Sequence, residues 1–146
     1  MASLTTVKAA RILIVDDNRD TADTMAMLLR MQGDDVAVAY DGRSAVGAAK
    51  RHDPDVVLLD LMLPDTDGYA VAEALRRAGM NRASLVALSG RGREEDAPWE
   101  RLQFVEHLVK PVAHQALVSL LVRLQAQKQA RIDQADADAS PHGTEQ

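Results

Sequence analysis

A chain of 146 residues is one ordinary domain long, and 47% hydrophobic with 27% charged residues is the composition of a soluble globular protein that needs no metal or disulfide for stability. Lys and Arg number 17 against 22 Asp and Glu, a net charge of −5 that argues against a nucleic-acid backbone or an anionic membrane as the main partner. Only Tyr40, Tyr69, Trp99 and Phe104 are aromatic, too few for a base-stacking groove, and the lack of cysteine excludes disulfides, thiolate metal sites and cysteine nucleophiles.

Residues 1–10 read as an N-terminal extension without a charged-then-apolar leader pattern. The uninterrupted runs of Ile, Leu, Val and Met reach four residues, too short to insert in a membrane, so a cytoplasmic location is expected. Ile12–Val15 reads as a first strand. A helix follows, with Asn18 placed to cap it, Ala22, Met25, Leu28 and Leu29 on one face, and Gly33 at its end. Val36–Tyr40 reads as a weaker second strand, and Ala45–Arg51 as a helix that Pro54 terminates. Val56–Leu59 is a third strand, and Val71, Ala74 and Leu75 form the stripe of a helix capped by Asp67. Leu85–Leu88 is a fourth strand. The stretch 94–103 predicts a short or late-starting helix, because Pro98 fits best in a first turn. Val105–Val109 is a fifth strand, and Leu117, Leu120, Leu121 and Leu124 form the face of a last helix opened by His114. From 127 to 146 the chain is polar and reads as frayed helix followed by disorder. Strands alternating with helices over 11–126 predict an α/β fold, an open five-stranded parallel sheet with helices on both faces.

In such a sheet ligands bind at the carboxyl ends of the strands, near the point where strand order reverses. The residues there are Asp16, Asp17, Asp60, Ser89 and Lys110, the last followed by Pro111. Carboxylates gathered in one place repel unless a cation sits among them, and hard oxygen donors without His or Cys favour Mg²⁺.

The segments 12–17 (ILIVDD), 57–68 (VLLDLMLPDTDG), 87–90 (ALSG) and 108–111 (LVKP) stand in order, each at a strand end. In this the chain resembles the receiver domain of bacterial two-component response regulators, from Arg11 to Leu124. The resemblance implies a flavodoxin-like (βα)5 fold and a regulatory phosphoacceptor rather than an enzyme, with Asp60 taking a phosphoryl group from a histidine kinase or histidine phosphotransfer protein. It implies Mg²⁺ held by Asp17, Asp60 and the backbone carbonyl of Met62, with Asp16 acting through a metal-bound water. Ser89 and Lys110 would hold phosphoryl oxygens, and the Lys110–Pro111 bond would be cis. His107 falls three residues before Lys110, where receivers often carry an aromatic ring that swings inward on phosphorylation, so it is a switch candidate.

Other residues have plainer readings. Asp20, Asp65 and Asp67 are cap or turn residues, and His52, His114 and His142 are structural or solvated. Trp99 reads as core. The stretch 98–106 lacks the small Ala-Gly turn that usually precedes the fifth strand in receivers, which puts dimerisation or output through the fourth-to-fifth-helix face in doubt. Met62 and Arg91 line the expected entry to the site.

About 20 residues follow Leu124, which suggests a stand-alone receiver acting on a downstream protein, or the receiver end of a hybrid histidine kinase. Two other readings compete with a phosphorylated receiver. One is a phosphorylation-independent binding module. The other is a haloacid-dehalogenase-type aspartyl-phosphate hydrolase, which places a second Asp two residues after the nucleophile, where this chain has Met62.

Overall fold

Short strands and amphipathic helices alternate along the residues described by the computed structural model, 9–90 and 98–139. The strands are β1 (Arg11–Val15), β2 (Asp35–Ala39), β3 (Val56–Asp60), β4 (Ser84–Ser89) and β5 (Phe104–Val109). The helices are α1 (Arg19–Met31), α2 (Gly42–His52), α3 (Gly68–Arg77), α4 (Trp99–Leu102) and α5 (His114–Ala139). All five strands are parallel, in the order β2-β1-β3-β4-β5. The chain thus forms the doubly wound α/β sheet expected from its alternating pattern, and its order reverses at β1 and β3.

The helices start where the side chains dictate. Asn18 accepts from Thr21 N at 3.0 Å to open α1, Asp41 from Ser44 N at 2.9 Å to open α2, and Asp67 from Ala70 N at 2.7 Å to open α3. Beyond α1, Gly33 takes φ +100°, where a side chain would be strained.

Every residue of β3 is buried, the mark of a central parallel strand. On one side of the sheet Leu13, Val15, Val57, Leu59 and Leu85 pack with Ala45, Ala48 and Ala49 of α2 and Val71, Ala72 and Leu75 of α3. The alternating positions Ile12, Ile14, Val56, Leu58, Val86 and Leu88 are buried as well. With 5% exposure Trp99 is a core residue, its ring tilted on Phe104 at 4.9 Å and edge-on to His107 at 5.5 Å.

Among the described residues α4 is short, Trp99–Leu102, with Pro98 at the position before its first turn; residues 94–97 and Arg91 lie outside the described residues. In place of a small-residue turn before β5, Gln103 adopts φ +62°. Arg76 supports that turn, donating to the carbonyls of Leu102, Met80 and Ala83 at 2.7–2.9 Å and of Gln103 at 3.2 Å. One guanidinium thereby ties the end of α3 to the chain before β4 and before β5.

The chain divides into two compact units, with residues 9–114 in one and 115–146 in the other. The described part of the second is α5, which runs to Ala139, well past residue 127 where frayed helix and disorder were expected. Residues 126–138 are exposed but rich in the helix formers Ala, Gln, Arg and Lys. The side-chain amides of Gln129 and Gln134 donate to Asp133 and Asp138, four residues on, at 3.0 Å. Residues 140–146, His142 among them, lie outside the described residues. Among the described residues no helix is long and apolar enough to cross a membrane.

Candidate functional site

Parallel pairing puts Val15 beside Leu59, so the residues that leave β1 and those that end β3 come out together. Asp16, Asp17 and Asp60 each offer a carboxylate oxygen, all within 4.8 Å of one another. Their burial is unequal: Asp16 is 0% and Asp60 4% exposed, whereas Asp17 is exposed. Asp16 Oδ1 accepts from Asn18 N at 3.0 Å, and Asp60 Oδ1 from Met62 N at 2.9 Å.

Lys110 enters from the end of β5, where its amide donates to the carbonyl of Ser89 at 2.7 Å and its bond to Pro111 is cis. Its Nζ lies 2.9 Å from Asp16 Oδ2 and 3.0 Å from Asp60 Oδ2. Burial works against the charged ammonium, but the two carboxylates outweigh it, and the pKa of Lys110 is raised. Burial lifts the pKa of Asp60 above the usual carboxylate value, despite the opposing Met62 amide and Lys110, with the Asp16 charge adding to the rise. One ammonium facing two buried carboxylates, with a third alongside, leaves an excess of negative charge that a small divalent cation would neutralise.

Ser89 closes β4, 7% exposed, and its Oγ lies 2.7 Å from His107 Nε2. The imidazole is therefore already engaged by the serine, at the same time as its edge rests on Trp99. A cleft of about 660 Å³ opens beside Asp17, lined also by Ser89, Tyr69 and residues 61–67 of the β3–α3 loop. Met62, 67% exposed, stands at its mouth.

The loop itself is folded back on the strand end. Leu61 N donates to Leu88 O and Gly68 N to Leu61 O, both at 2.9 Å, and Met62 bridges to Asp67. Gly68 makes this possible: a Cβ there would lie 2.6 Å from both Asp60 O and Leu61 Cα. Asp65, read as a cap or turn residue, is a cap, and of a helix distant in the chain: it accepts from Gly42 N and Arg43 N at 2.9 Å. The roles of Gly68 and Arg76, and which helix Asp65 serves, did not emerge from the sequence, although the Asp67-Gly68 pair before an apolar stripe carried a signal for the first.

The structure thus gathers Asp16, Asp17, Asp60, Ser89, Lys110 and His107 at one end of the sheet. His52 and His114 lie elsewhere, with ring nitrogens 2.9 Å from Asp35 O and 3.2 Å from Gln32 Nε2.

A family model described as the response regulator receiver domain matches residues 12–122. The chain belongs to that family. Among solved structures it is similar to a CheY-like receiver domain of Methylobacillus flagellatus, 31% identical over 80% of this chain and 99% of that one, with a TM-score of 0.72. It resembles the chemotaxis protein CheY4 of Vibrio cholerae at 25% identity, again over 80% and 99%, with a TM-score of 0.74. NtrX of Brucella abortus, 28% identical with a TM-score of 0.78, matches 89% of this chain but only 30% of its own length. The protein is a receiver, a phosphoacceptor signalling domain with a regulatory role, and receivers in general interact with histidine kinases or phosphotransfer proteins. The acidic cluster at the strand ends is of the kind that binds a divalent cation in this family.

Proposed function

We propose that Asp60 is the phosphoacceptor of this receiver and that its partner is a histidine kinase or histidine phosphotransfer protein. One observation carries the reading: Asp60 lies with Asp16 and Asp17 in one carboxylate cluster and has Lys110 at 3.0 Å. A carboxylate oxygen of Asp60 attacks phosphorus as the bond to the imidazole nitrogen breaks, and the nitrogen keeps the electron pair. Transfer of this kind needs alignment and charge neutralisation more than covalent assistance.

Asp17, Asp60 and the Met62 carbonyl are the residues to hold Mg²⁺, with Asp16 acting through a bound water. When bound, the ion supplies positive charge beside the phosphoryl oxygens. Lys110 supplies a second positive charge to those oxygens. Ser89 donates to another, which requires its hydroxyl to leave or reverse the bond to His107; that exchange gives His107 its role as the switch residue. Met62, a thioether two positions after Asp60, offers no base to activate water, which favours a lasting acyl phosphate over turnover. Residues 11–126 form the receiver in this reading, residues 1–10 an extension and 127–146 a tail, and the protein works in the cytoplasm.

The test is intact-protein mass after incubation with Mg²⁺ and a small acyl-phosphate donor. The wild type is expected to gain a single phosphoryl group, with no gain when Mg²⁺ is chelated or Asp60 is replaced by Asn. An equal gain in Asp60→Asn would overturn the assignment. A folded wild type that gains none would point instead to a binding module independent of phosphorylation.

A further inference from the structure

The β3–α3 loop runs from Leu61 to Asp67, between the phosphorylation site and the start of α3. Its two ends are fixed to each other: Met62 bridges to Asp67, and the carboxylate of Asp67 caps α3 at Ala70 N. Its tip is fixed to a different element. Asp65 Oδ1 accepts from Gly42 N and Oδ2 from Arg43 N, each at 2.9 Å. These are the first two amides of α2, which lack partners within the helix, and the positive end of the helix dipole favours a carboxylate there. Asp41 takes the third, Ser44 N, at 2.9 Å. Two carboxylates from separate segments thus divide the amides of one helix start between them.

The approach is close at position 42, where a side chain would press on the loop. A Cβ on Gly42 would lie 2.3 Å from Thr66 Cγ2 and 3.3 Å from Asp65 Oδ1. The loop tip is therefore seated directly on the start of α2. Simple capping of α2 explains why a carboxylate is useful to the helix. It leaves unexplained why the loop beside Asp60 supplies a second one when Asp41 is already in place.

We infer that Asp65 is a positioning residue for the cation: by clamping the loop tip to α2 it fixes the backbone of the loop and hence the Met62 carbonyl. The inference rests on the reading of that carbonyl as a ligand. Without the clamp the loop tip is released, Met62 keeps only its bridge to Asp67 and its bond to Asp60, and the remaining order must be supplied when the ion binds, so that cost appears as lost affinity. Outer partners that orient metal ligands commonly change affinity by 10–100-fold, and a clamp acting through the backbone should fall near or just below the lower end.

Calorimetric titration of Mg²⁺ into the full chain tests this, paired with thermal melts of the metal-free protein. Asp65→Ala is expected to weaken Mg²⁺ binding by about three- to tenfold, with Asp65→Asn, which keeps one acceptor oxygen, in between. Asp41→Ala serves as the control, since it uncaps the same helix without touching the loop. It is expected to lower the melting temperature and leave Mg²⁺ affinity at the wild-type value. Unchanged affinity in Asp65→Ala, or equal losses in Asp65→Ala and Asp41→Ala, would overturn the proposal and reduce Asp65 to a helix cap. If the wild type binds no Mg²⁺, or Asp17→Asn binds it as well as the wild type, the cation reading falls and this inference falls with it.

Discussion

Replacing Lys110 by Met is expected to lower the stability of the metal-free protein by about 2–4 kcal/mol at neutral pH, because it strands a buried carboxylate. The Asp16 side chain is 0% exposed and has the Lys110 ammonium at 2.9 Å. Breaking a buried pair from one side typically costs 3–5 kcal/mol; the 27% exposure of Lys110 admits water and moderates the figure. Met keeps most of the volume, so the loss reports charge rather than packing.

The pH dependence has a definite sign. Burial raises the folded pKa of Asp60, so this group favours the folded state when protonated, and its contribution falls as pH rises through that value. Removing the ammonium strengthens this trend, so the deficit of Lys110→Met grows from acid to neutral pH. The folded pKa of Lys110 is itself raised, so while its carboxylate partners are ionised the stability it lends the wild type is present below its ordinary value of 10.5 and is lost as pH climbs through the raised one. Urea unfolding from acid to neutral pH, with chelator and then with Mg²⁺, checks the first point, and extending it above pH 10.5 checks the second. Mg²⁺ should restore more stability to the variant than to the wild type, since it replaces the missing charge. A deficit below about 1 kcal/mol at neutral pH would mean that Lys110 does not neutralise the cluster.

The second large effect belongs to Gly68. A methyl group there would meet Asp60 O and Leu61 Cα at 2.6 Å, and both are backbone atoms that cannot rotate away. Gly68→Ala is expected to cost about 2–3 kcal/mol, the range of an overpacked core. The strain falls on the peptide that carries Asp60, so phosphoryl gain at saturating Mg²⁺ should also slow by roughly tenfold or more. Gly79 is the contrast. Its φ of +91° makes alanine strained, at about 1 kcal/mol, but nothing lies within 4 Å of the added carbon, and the rate should not change. Comparable rates in wild type and Gly68→Ala would remove the loop backbone from the account.

The site was legible in the sequence because a parallel sheet gathers the ends of its strands. Once Ile12–Val15, Val56–Leu59 and Leu85–Leu88 read as buried strands, the polar residues after them had to converge, and Asp16, Asp17, Asp60 and Ser89 do. The caps at Asn18 and Asp67 were legible for a local reason, since each acceptor lies three residues before its donor amide. What escaped notice depends on partners distant in the chain. No local pattern shows that the helix Asp65 caps is α2, that Arg76 secures a turn built on Gln103, or that His107 holds Ser89. The end of α5 was legible only in outline: the polar run after residue 127 reads as frayed helix, and its Ala, Gln and Lys, all strong helix formers, carry α5 to Ala139.

The most direct measurement of the central claim is to locate the phosphoryl group itself. Borohydride reduces an aspartyl phosphate to homoserine, leaving a permanent mark on the residue that carried it. After incubation of the wild type with Mg²⁺ and an acyl-phosphate donor, then reduction and digestion, peptide sequencing by mass should find homoserine at position 60 alone. Homoserine at Asp16 or Asp17, with Asp60 unmodified, would contradict the account.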